Sequence, residues 1–63
     1  MFTRCFERTL TNPYHLNEEY EVLNISEYGY VYYVNGQCRK DGLVENLEET
    51  IAELLELGWE EVL

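Results

Sequence analysis

Tyr30-Val31-Tyr32-Tyr33-Val34-Asn35-Gly36-Gln37-Cys38-Arg39-Lys40 is the stretch on which the fold depends. Asn-Gly between two extended runs is the preferred type I′ hairpin turn, because both central residues must accept positive φ. The aromatic and β-branched run before it suits a pleated surface. Alternation sends Tyr30, Tyr32 and Val34 to one face and Val31 and Tyr33 to the other. A hairpin is therefore expected here, with Asp41-Gly42 ending its second strand.

Working outward, residues 20–26 read as another strand, with Leu23 and Ile25 on one face and Tyr20 and Val22 on the other. Gly29 marks a tight turn in Glu27-Tyr28-Gly29. Residues 1–10 read as a first strand. Residues 11–17 read as a loop, since Asn-Pro favours a turn and Pro13 cannot sit in a central strand. On the other side, residues 47–57 predict a helix. Leu47, Ile51, Leu54 and Leu55 recur at i, i+4, i+7 and i+8 as one apolar stripe. Asn46 can cap it, with Glu49 three residues on in a capping-box arrangement. Gly58 is the expected left-handed terminator, and Trp59 can fold back onto Leu54 or Leu55. Residues 59–63 can add a short edge strand. The expected fold is α+β: one domain over residues 1–63, an antiparallel meander of three to four strands packed against one C-terminal amphipathic helix.

The 63-residue length allows one domain that buries only ~60% of its unfolded surface. An apolar content of 46% is too rich for a disordered tail. The longest apolar run, residues 30–34, is far short of the ~20 residues of a membrane span. No continuous apolar block follows Arg4, so no secretory signal is read and a cytoplasmic location is expected. Cys5 and Cys38 would then stay reduced, while a disulfide between them stays open for a secreted chain. Two thiols and one histidine cannot supply the four ligands of a structural zinc, and neither metal nor cofactor is expected.

Charge carries the functional reading. Residues 43–63 hold seven glutamates (Glu45, Glu48, Glu49, Glu53, Glu56, Glu60, Glu61) and no Lys, Arg or Asp, contributing −7 of a net −9. Like charges at i,i+4 cost what opposite charges gain, ~0.2–0.5 kcal/mol per pair, so an all-acidic helix face carries a penalty that invites a use. A solvated, solubilising face is the plain alternative. Tyr30, Tyr32 and Tyr33 either pad a small core or offer a protein interface, where tyrosine is enriched. A self-associating sheet face forming a homodimer is a third option. Arg4, Arg8, Arg39 and Lys40 lie in the sheet portion, where they can offset Glu7, Glu21 and Glu27 as cross-strand pairs. A net charge of −9 argues against direct nucleic-acid binding and against anionic membranes. Catalysis is not expected: His15 is the sole histidine, and glutamates on an exposed helix lack the desolvation that raises a pKa.

In length, in the Glu45–Glu61 acid series without cations, and in tyrosines taken as exposed, such as Tyr32, the chain resembles the small acidic inhibitors of bacteriophages and mobile elements. These include anti-CRISPR proteins and other DNA mimics. The resemblance implies a cytoplasmic, non-catalytic protein that binds a nuclease or its nucleic-acid channel, by mimicry or by steric block. The expected contact residues are Glu45, Glu49, Glu53, Glu56 and Glu60 for charge and Tyr30, Tyr32 and Tyr33 for area. The expected partner is a protein with a basic surface, a nuclease or nucleoprotein complex. A small dimerising adaptor whose acids merely solubilise is the alternative.

Overall fold

The Asn35-Gly36 turn forms with φ of 50° and 82°, joining strands β3 (Gly29–Val34) and β4 (Gln37–Gly42). Its base is tied to the neighbouring strand. The Asn35 N–H donates to the Tyr20 carbonyl at 2.8 Å, and the Tyr20 N–H donates to Asn35 Oδ1 at 2.9 Å. The computed structural model describes residues 3–12 and 17–63. Within it, β1 (Arg4–Asn12), β2 (Asn17–Ser26), helix α1 (Leu47–Glu56) and β5 (Glu60–Val62) complete the fold. The expected α+β architecture is present, with five strands in one sheet of order β4-β3-β2-β1-β5.

Every neighbouring pair is antiparallel, so β4 and β5, four pairing steps apart, run in the same direction at opposite edges. The chain reaches from one edge to the other through α1, which covers one face. β1 and β2 extend further than expected, because their ladder continues from Arg4↔Ile25 to Asn12↔Asn17. The expected loop thus shrinks, and its remainder, with His15, lies outside the described residues. Between Tyr32↔Lys40 and Tyr33↔Cys38 the β3–β4 ladder slips by one, leaving Arg39 as the extra residue of a bulge.

Gly29 is not the turn residue. The turn is Glu27-Tyr28, and Gly29 opens β3, where a Cβ would lie 2.5 Å from the Gly42 carbonyl oxygen. Close approach of two backbones, not positive φ, requires glycine there.

The core lies between the covered face and the helix. Phe6, Leu23, Ile25, Ile51 and Trp59 are buried, with Tyr30, Tyr32, Val44, Leu47 and Leu54 packed around them. β2 settles which face the helix takes. Leu23 and Ile25 stand opposite Tyr32 and Tyr30 across the ladder, so those tyrosines face inward with them. Each fully buried side chain contributes ~1.5–3 kcal/mol of transfer free energy. Cys5 and Cys38 are free thiols three strands apart, about 14 Å, well beyond the ~7 Å limit for a disulfide.

Candidate functional site

The acidic helix is fixed at both ends by its own sequence. At the start, Asn46 adopts an extended backbone and its side chain accepts the Glu49 N–H at 3.1 Å, while Glu48 and Glu49 face the positive end of the helix dipole. At the end, Gly58 takes φ of 90° and the chain closes a Schellman motif. The Gly58 N–H donates to Leu55 O at 3.2 Å and the Trp59 N–H to Leu54 O at 3.0 Å. Trp59 then turns back into the core at 6% exposure, fulfilling the expected fold-back.

The helix C-terminus carries no basic residue in its last turn. A strand supplies the cation instead: Arg8 of β1 donates from one Nη to the Leu57 carbonyl at 3.1 Å. Its guanidinium lies 4.5 Å from the centroid of the Trp59 ring. Its Nε donates to Glu21 Oε1 at 2.8 Å, the expected cross-strand pair. Glu21 is 3% exposed, and its second oxygen accepts the Tyr32 hydroxyl. Both carboxylate oxygens are therefore used, which is what burying that charge requires. The hydrogen bond to Glu21 is the main cause holding the Tyr32 hydroxyl proton, and its pKa rises to about 12. Tyr32 also meets Trp59 edge-to-face, with centroids 6.3 Å apart.

The expected contact residues fall into three groups. Glu45, Glu49, Glu53 and Tyr30 come together around a cleft of ≈ 410 Å³ at the N-terminal half of α1, completed by Leu43, Val44, Asn46 and Thr50. Glu56 continues the exposed line, since Glu49, Glu53 and Glu56 recur at i, i+4 and i+7 on one helix face. Tyr32 departs from expectation: it is half-buried, points into the core and is occupied by Glu21. Tyr33 and Glu60 lie on the opposite, open face of the sheet. Glu60 stands across the ladder from Glu7, so the acid series splits between two faces at the final strand. The physical reason is alternation, which sends neighbours on a strand to opposite sides. Glu61, next to Glu60, therefore faces the covered side and pairs with Arg4, whose Nε donates at 2.8 Å. That bond holds the Glu61 carboxyl below its usual range.

Among the described residues the ion pairs are Arg4–Glu61 and Arg8–Glu21, and neither uses a glutamate of α1. Nor does any group of three or more His, Cys, Asp or Glu side chains there stand ready to hold a metal ion. No helix is long and apolar enough to cross a membrane. The Arg8–Glu21–Tyr32 network was not expected as a unit, although one signal was present: Glu21 shares the strand face of Leu23 and Ile25. No protein-family model, curated protein or solved structure matches this chain.

Proposed function

We propose that this chain is a non-catalytic, cytoplasmic inhibitor that occupies the basic groove of a nucleic-acid-processing enzyme. In this reading it acts like the anti-CRISPR and DNA-mimic proteins of bacteriophages and mobile elements, on a Cas nuclease complex or a related machine. One observation carries the reading. Glu48, Glu49, Glu53 and Glu56 lie exposed on a ten-residue helix, and none of them pairs with a cation of the described residues. Glu49, Glu53 and Glu56 share one face over about 10 Å, so that face presents one carboxylate per ~5 Å. A single nucleic-acid strand presents one phosphate per ~3.4 Å. A groove of lysines and arginines spaced for phosphates would meet a comparable, somewhat sparser row of negative charge. The two caps hold that charge on a stiff element, so little ordering entropy is lost on binding.

The test is inhibition of DNA binding and cleavage by a panel of Cas nuclease complexes and unrelated nucleases. The expected result is inhibition of at least one, weakening steeply between ~50 and ~200 mM salt, because charge-driven contacts are screened. A variant with Glu45, Glu49, Glu53 and Glu56 all changed to Gln should lose it. Equal inhibition by that variant would remove mimicry and leave steric block by another surface.

A further inference from the structure

We infer that the open face of the sheet packs against the same face of a second copy, related by a twofold axis parallel to the strands. Outward-facing positions of an antiparallel sheet are normally polar. Here one cross-strand row reads Glu60–Glu7–Val22–Tyr33–Cys38, with Val31 beside it, so the centre of the face is apolar and one end acidic. Glu7 and Glu60 oppose each other as like charges, a destabilising arrangement within one copy. The opposite edge carries Asp41, across the ladder from Val31, and Arg39, the exposed extra residue of the β4 bulge, which has no carboxylate partner among the described residues.

An isologous interface must be complementary to itself. Rotation about an axis along β2 places β4 of one copy over β5 of the other and keeps each row at its own height. Arg39 then approaches the partner's Glu60, and Val22 meets its own counterpart at the axis. A twofold across the strands would instead set the Glu7–Glu60 pairs on each other, so charge selects the first arrangement. Four strands over six residues and β5 over three, at ~4.8 Å per strand and ~3.4 Å per residue, cover about 440 Å² per copy, roughly 900 Å² in total. That lies below the range of stable specific interfaces, so the dimer is weak and reversible. Both acidic helices stay on the outside, so the inference stands whether or not the proposed target is right.

The experiment is sedimentation equilibrium with reductant, at moderate salt, over concentrations from about 1 μM to about 1 mM. The chain should pass from monomer to dimer. Tyr33→Lys should weaken association at least tenfold with an unchanged circular dichroism spectrum. Arg39→Glu should weaken it several-fold, and Arg39→Glu combined with Glu60→Arg should restore it. A monomer throughout, or a dimer indifferent to Tyr33→Lys, overturns the inference. Failure of the charge swap to restore association overturns the arrangement of the twofold.

Discussion

On the covered face of the sheet Glu21 is 3% exposed, yet both its oxygens are occupied, by Arg8 and Tyr32, and Glu61 nearby is held by Arg4. On the open face Glu7 stands directly across from Glu60, with Tyr20 donating its hydroxyl to Glu7. Both paired arginines have thus gone to the side where desolvation would otherwise penalise a carboxylate most. The acids on the open face and along the helix exterior are left to solvent or to a partner. Of this protein's four cations, Arg8 pairs with a buried carboxylate and Arg4 with the part-exposed Glu61. A cation therefore stands where a carboxylate is buried, at Glu21, while the outward acids of the helix stay unpaired among the described residues.

The contrast breaks most visibly at Arg8. Arg8→Met keeps the aliphatic stem over Trp59 but leaves Glu21 buried without its cation, which should cost ~3–5 kcal/mol. That is most of the margin of a chain this small, so urea titration should show little or no folded baseline. Tyr32→Phe removes one hydrogen bond to the same carboxylate and should cost about 2 kcal/mol. Tyr33→Phe on the open face should stay within ~0.5 kcal/mol.

Tyr32 also gives the comparison a pH signature. Its folded pKa is raised from 10 to about 12, so its contribution is complete below pH 10 and is lost as pH rises through about 12. Ultraviolet titration should show the tyrosine that ionises near pH 12 lost in Tyr32→Phe, while Tyr20, raised by its hydrogen bond to Glu7, stays late in both proteins.

Smaller effects follow at the helix. Gly58→Ala forces a Cβ into positive φ with no neighbour within 4 Å, so the cost is purely conformational, about 1 kcal/mol by thermal unfolding. Changing Glu45, Glu49, Glu53 and Glu56 together to Gln should leave stability within about 0.5 kcal/mol of the parent, because relief of like-charge repulsion offsets the lost interaction of Glu49 with the helix dipole. Smallest of all is Glu61→Gln. The folded-state carboxyl is held low by Arg4, so its contribution is present above the ordinary glutamate range and fades as pH falls through its folded value. Its loss should therefore show near neutral pH and vanish in acid.

Local chemistry was the readable part of this chain. Asn35-Gly36, the Asn46 cap and the Gly58-Trp59 ending each follow from residues within five positions of one another, and each formed as expected. The pairing of β5 with β1 depends on contacts more than fifty residues apart, which no short pattern encodes. That pairing decides whether Glu60 or Glu61 faces outward. A run of acids therefore reads as one surface in sequence and becomes two in the fold. Tyr32 and Tyr33 pose the same difficulty, since both faces of β3 are apolar and only its register against Leu23 and Ile25 distinguishes them.

In the proposed function the unneutralised helix face is bound by a basic groove. Displacement of labelled DNA from the inhibited nuclease, with the parent protein and the four-glutamine variant compared across salt, tests it most directly. The parent should displace the DNA, less so as salt rises, and the variant should displace none. Equal, salt-insensitive displacement by both would contradict it.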